Sequence, residues 1–149
     1  MIIRQMSEED LPRVYAIATS SLDEYYLPEV FSYFLRQWPG GQIVACSVTG
    51  RVIGFICGSY LGPDRVGIAL LAVERQNRCQ GVGSELLAAL RRRAVTEGAY
   101  TVQLEVRIEN EAAINFYRVR GFIVTESLPA FYNNGGDAIR MIGTTVQNS

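Results

Sequence analysis

Val66 to Val73 is an almost unbroken apolar run, and after an intervening glycine-containing turn Val82, Leu86, Leu90 and Ala94 fall on one face of a helix reaching Glu97. A strand that is apolar on both faces must be covered on both, so this unit predicts a central strand in a sheet flanked by helices. Gly98 closes the helix, and Thr101 to Arg107 then alternates Val102, Leu104 and Val106 with Gln103, Glu105 and Arg107, the period of a strand. Strand, helix and strand together make a crossover, which ties the fold to a mixed sheet.

The other segments fit around that unit. Ile2-Ile3 reads as a first strand, and Ser7 with Asp10 opens a helix to about Ser20. Val30 to Leu35 forms a second short helix, closed by Pro39-Gly40-Gly41. Gln42–Val48 and Arg51–Tyr60 flank Thr49-Gly50 as an antiparallel hairpin. Asn110 caps a helix running to about Arg120, Gly121 ends it, and extended segments at Phe122–Val124 and Ala138–Gly143 complete the order β-α-α-β-β-β-α-β-α-β-β. There is no repeat or linker, and 149 residues suit one domain spanning 1–149, with a single active site.

Composition removes several chemistries. The chain has no histidine, and its three cysteines, Cys46, Cys57 and Cys79, are widely spaced, so neither a zinc site nor a disulfide framework is expected. Proton transfer then falls to carboxylates, tyrosines, thiols, amines or water. The formal net charge is −1, so no overall field attracts nucleic acid or an anionic membrane, and Arg91-Arg92-Arg93 reads as a solvated helix face. The first residues lack a basic-then-apolar leader and no apolar run has spanning length, so a cytoplasmic protein is expected.

Between the central strand and its helix stands Arg78-Cys79-Gln80-Gly81-Val82-Gly83-Ser84. Glycines allow close backbone approach, and the first helical turn leaves N–H donors and a positive dipole end that suit a pyrophosphate. On the glycines alone, a plain tight turn is equally acceptable. The phosphate loop with Gly-Lys-Ser/Thr is absent, the third glycine of the dinucleotide fingerprint is missing, and Glu74–Gln80 is too long for that fold's first turn.

Arg78, Gly81 and Gly83 occupy the fixed positions of [QR]-x-x-G-x-[GA], and Leu104-Glu105-Val106-Arg107 leads through Asn110, Ala113 and Phe116-Tyr117 to Gly121-Phe122. These blocks resemble the acetyl-CoA-binding core of the GNAT N-acetyltransferases, especially the ribosomal-protein alanine and archaeal N-terminal acetyltransferases. The resemblance implies an α/β fold with a mixed, mostly antiparallel central sheet and helices on both faces. It also implies transfer of acetyl from acetyl-CoA to the α-amino group of a protein or peptide, with no metal. By the same resemblance Glu105 is the general base and Tyr117 the general acid. Leu71, Ala72, Val73, Arg78, Cys79, Gln80, Gly81, Val82, Gly83, Ser84, Asn110, Ala113, Phe116 and Tyr117 would lie along the coenzyme. A backbone N–H near Leu71–Val73 would meet the thioester oxygen if the strand bulges there. Glu29, in a Leu27-Pro28-Glu29 string like that of NatA-type catalytic subunits, joins Tyr25, Tyr26 and Tyr132 as candidate acceptor contacts. From the residues alone, the first reading of Glu105 is a solvated or Arg107-paired carboxylate and that of Tyr117 a core aromatic with a satisfied hydroxyl. A small-molecule or lysine acetyltransferase and a non-catalytic acyl-CoA-binding module remain the alternatives.

Overall fold

The computed structural model describes residues 1–22 and 26–146. Strand β1 (Ile2–Gln5) leads through a 3-10 turn at Glu8–Asp10 into α1 (Leu11–Ser21), followed by α2 (Glu29–Gln37). The helix expected from Ser7 therefore starts at Leu11: Asp10 Oδ2 accepts the Ser7 N–H at 2.8 Å and Asp10 N–H donates to Ser7 C=O at 3.0 Å, which winds the first turn more tightly. Then come β2 (Gln42–Cys46), β3 (Val52–Gly62), β4 (Arg65–Val73), α3 (Val82–Thr96), β5 (Thr101–Arg107), α4 (Glu111–Arg118), β6 (Ile123–Leu128) and β7 (Ala138–Thr144).

The seven strands form one sheet in the order β1-β2-β3-β4-β5-β7-β6, so β4 is its middle strand. Every pairing is antiparallel except β4 with β5, the pair that α3 connects. Two buried clusters hold the layers together. Val82, Leu86, Leu87, Leu90 and Ala94 of α3, with Tyr117 of α4, pack on one face against Val66, Ile68, Val102, Leu104 and Val106. Val14, Ile17 and Ala18 of α1 and Phe31 of α2 pack on the other against Val44, Phe55, Cys57, Leu70 and Ala72. The arginine run does not form one solvated face: Arg92 and Arg93 are exposed, but Arg91 is only 4% exposed. It lies one turn after the core residue Leu87 and caps Phe122 with its guanidinium.

Two irregularities open the sheet at its centre. Cys57 pairs with Leu70 while Gly58 pairs with Ile68, so Ala69 is an extra residue and β4 bulges there. The side-chain alternation inverts across the bulge: Val66 and Ile68 face α3, whereas Leu70 and Ala72 face α1 and α2. The parallel pairing of β4 with β5 ends at Ile68 and Leu104. Beyond that rung the two strands diverge, and the β5-side edge of Ala69–Val73 has no strand partner among the described residues.

Candidate active site

A cleft of about 510 Å³ occupies the divergence and runs up to the start of α3. Its floor is Leu71, Ala72 and Val73, its mouth Arg78, Cys79 and Gly81–Ser84, and its far wall Asn110, Ala113, Phe116 and Tyr117. Of the residues expected along the coenzyme, only Gln80 lies outside this lining; it is exposed on the turn. The bulge expected near Leu71–Val73 stands at Ala69 instead, in the β4 pairing with β3 and one residue beyond the last β4–β5 rung at Ile68.

The mouth is built for an anion. Gly81 is the N-cap of α3 at φ +82°, a left-handed conformation that suits glycine, and nothing lies within 4 Å of where its Cβ would stand. The first intrahelical bond runs from Glu85 N–H to Gly81 C=O at 3.1 Å, so the N–H groups of Val82, Gly83 and Ser84 are left over. Gly83 has a different reason to lack a side chain: a Cβ there would stand 3.3 Å from the Phe116 ring, so this glycine lets α4 close against α3. Cys79 also has positive φ, at 62°, and is exposed. Arg78 Nε donates to Val73 C=O at 3.1 Å, which ties the turn to the end of β4.

A second, smaller cavity of about 150 Å³ opens on the other side of the sheet gap and is lined by Tyr26, Ala69, Glu105, Val106, Arg107 and Tyr132, among others. Leu22, Leu71, Asn110, Ala113 and Tyr117 line both spaces, so the two meet there. Asn110 shapes this junction by capping α4, its Oδ1 accepting the Ala113 N–H at 3.1 Å. Tyr117 is buried with its ring edge-on to Phe116 and Phe122, and its hydroxyl has no protein partner among the described residues. Burial pushes this phenol well above its ordinary value, so it stays protonated.

Glu105 is not paired with Arg107, the partner its sequence neighbourhood suggested. Its Oε2 accepts from Arg140 Nε at 2.9 Å and from Gln103 Nε2 at 3.0 Å. Arg140 stands directly opposite on β7 and also donates to Glu126 of β6 at 2.9 Å, so one guanidinium holds two carboxylates. That charge ladder raises Arg140 above its ordinary value, chiefly through the Glu105 hydrogen bond. Sequence reasoning passed over Arg140, because its relation to Glu105 exists only in the strand register. Arg107 instead stacks its guanidinium 4.3 Å over the Tyr132 ring. Burial pushes the Tyr26 and Tyr132 phenols up as well, the neighbouring Tyr132 adding to the effect at Tyr26. Glu29 is exposed at the start of α2 and lines neither space, and Tyr25 lies outside the described residues. The lining of the larger cleft also includes Ser21, Asn77, Ala112 and Arg120, which no sequence motif had marked.

Comparison with known proteins identifies the family and the fold. The family model "Acetyltransferase (GNAT) family" matches residues 11–122. N-alpha-acetyltransferase 30 of Schizosaccharomyces pombe is 33% identical over 139 residues, covering 91% of this chain and 93% of that protein. The crystal structure of Ard1 from Thermoplasma volcanium superposes with a TM-score of 0.93 at 37% identity, covering 98% of each chain. A chain of the NatC complex bound to Gag peptide and CoA superposes at 0.87 with 30% identity, over 96% of this chain and 97% of that one. With a family match across most of its length and a relative of this identity aligned nearly end to end, the chain belongs to the GNAT acetyltransferase family.

Proposed function

We propose that this chain transfers the acetyl group of acetyl-CoA to the α-amino group of a protein or peptide. One observation carries the reading: the cleft that begins at the leftover N–H groups of α3 and the cavity that holds Glu105 meet at Leu71 and Tyr117. A thioester entering from the first and an amine entering from the second converge there. The relatives are themselves N-alpha-acetyltransferases, and one solved relative is bound to a peptide together with CoA.

In this reading Val82, Gly83 and Ser84 N–H groups receive the pyrophosphate at the dipole end of α3. The free β4 edge at Ala69–Val73 offers a backbone N–H to the thioester oxygen as negative charge develops on it. Glu105 takes the amine proton, directly or through water, through Oε1, the oxygen with no donor among the described residues. Tyr117, kept protonated by burial, gives its proton to the leaving sulfur. An α-amine has a pKa of about 8 against about 10.4 for lysine, so near neutrality a far larger share of it is already uncharged. Among the described residues, Glu105 is the only carboxylate that lines the acceptor cavity.

Acetylation of a peptide library by the isolated chain, read by mass spectrometry, tests the assignment. Acetyl groups on peptide α-amines are expected. Acetylation confined to lysine side chains or to small amines would overturn it.

A further inference from the structure

Arg91 is buried without a counter-charge. Its Nη2 donates to Arg120 C=O at 2.8 Å, its guanidinium lies 4.9 Å over the Phe122 ring, and its Nε has no partner. Arg120 stands beside it: Nη1 donates to Phe116 C=O at 2.8 Å, Nε to Ser84 Oγ at 3.1 Å, Nη2 also reaches Ser84, and the guanidinium stacks 3.9 Å over Phe116. Neither arginine meets a carboxylate among the described residues. Burial and the charge of Arg120 hold Arg91 below its ordinary value, the mark of a cation in unfavourable surroundings. Arg120 compounds this by standing at the positive end of α3, where a cation is disfavoured and an anion favoured.

Both guanidinium groups border a cavity of about 290 Å³ between α3 and the end of α4, lined by Ser84, Leu87, Ala88, Arg91, Val119 and Arg120, with no acid among the described residues. Ser84 and Arg120 also line the coenzyme cleft, so the two spaces adjoin. CoA carries a pyrophosphate and, across one ribose, a 3′-phosphate monoester. We propose that this cavity receives the 3′-phosphate of the coenzyme, held by Arg91 and Arg120 while the N–H groups of α3 hold the pyrophosphate. A dianion there supplies the counter-charge both arginines lack, and a guanidinium fork matches phosphate oxygens. Arg120 rests on the Ser84 hydroxyl, from which it can turn to the phosphate without leaving Phe116.

The proposal rests on CoA being the coenzyme, and calorimetry with CoA and 3′-dephospho-CoA separates the two questions. The natural chain should bind CoA about tenfold or more tightly than the dephospho form, as expected for charge-assisted bonds. Arg120→Gln and Arg91→Met should each reduce that preference to about twofold or less, mainly by weakening CoA. Reading the ratio removes any general effect of moving Phe116, and Arg120→Lys should restore part of it. Equal affinity of the natural chain for both nucleotides overturns the proposal, as does a preference unchanged in both variants. If inorganic phosphate raises Tm while the two nucleotides bind equally, the cavity serves free anions and the coenzyme assignment falls. Binding of neither nucleotide overturns the coenzyme reading itself.

Discussion

Glu105 and Tyr117 both line the smaller cavity, yet their surroundings differ. Glu105 is partly buried and held by donors from β5 and β7, whereas Tyr117 is enclosed by aromatic rings. Glu105→Gln keeps the shape but loses the proton acceptor, so kcat should fall about 10²–10⁴-fold at neutral pH. The deficit should narrow as pH rises towards the pKa of the amine, because more acceptor is then neutral without help. Tyr117→Phe should leave a deficit that stays level or grows with pH, since alkaline medium does not replace a proton donor. The buried phenol keeps its proton across the assay range, so its own titration should not shape the alkaline limb of the natural enzyme. Steady-state pH profiles of both variants check the pair, and full activity of Glu105→Gln throughout would end the base assignment. Arg140 touches Glu105 without lining the acceptor cavity, so in the proposed mechanism it would position that carboxylate.

The strand–turn–helix from β4 to α3 is the element proposed to grip the coenzyme, and its two glycines should fail differently when replaced. Gly81→Asp puts a side chain and a negative charge at a left-handed N-cap facing open space, so acetyl-CoA affinity should drop by at least about 10²-fold with the fold intact. Gly83→Val presses on Phe116 and should cost about 1–3 kcal/mol of stability as well as affinity. Calorimetry together with thermal melts distinguishes the two. Unchanged affinity in a folded Gly81→Asp protein would remove the turn from the binding site. The bulge at Ala69 belongs to this scale too: an added residue turns Leu71 and Val73 towards the α3 and α4 side of the sheet and leaves their strand edge free.

Across the whole molecule, a sheet open on one side of β5 is held together at its far edge by Asp10. This buried carboxylate accepts two hydrogen bonds from Arg4 at 2.8 Å and one from the Ser7 N–H, joining β1 to the entry of α1. The Arg4 hydrogen bond, opposed by burial, holds the Asp10 carboxyl below its ordinary value. A carboxyl lowered on folding contributes fully above its unfolded pKa of about 3.9 and loses that contribution as pH falls through its lower folded value. Asp10→Asn should therefore cost about 2 kcal/mol at pH 7, and the difference from the natural chain should shrink below about pH 4. Urea unfolding at pH 7 and pH 3 measures both. A penalty of equal size at the two values would show that the carboxylate charge is not what matters.

The succession of elements was legible because each carried its own period or stop: the apolar run of β4, the single face of Val82, Leu86, Leu90 and Ala94, the alternation of Thr101–Arg107, and Asn110 as a cap. The glycine turn was legible for the same reason, since backbone conformation and leftover N–H groups are local properties. What tertiary structure alone decided depends on which strands adjoin and in what register. The loss of pairing after Ile68 and Leu104 creates the cleft, and the Glu105–Arg140–Glu126 ladder arises only because β7 inserts between β5 and β6. Arg91, read from its neighbours as solvated, is buried because Phe122 and the Arg120 carbonyl return from the end of α4 to meet it. Local sequence sets which face of each element is apolar, whereas electrostatic partners are chosen by contacts between residues far apart in the chain, and these form only when the layers close.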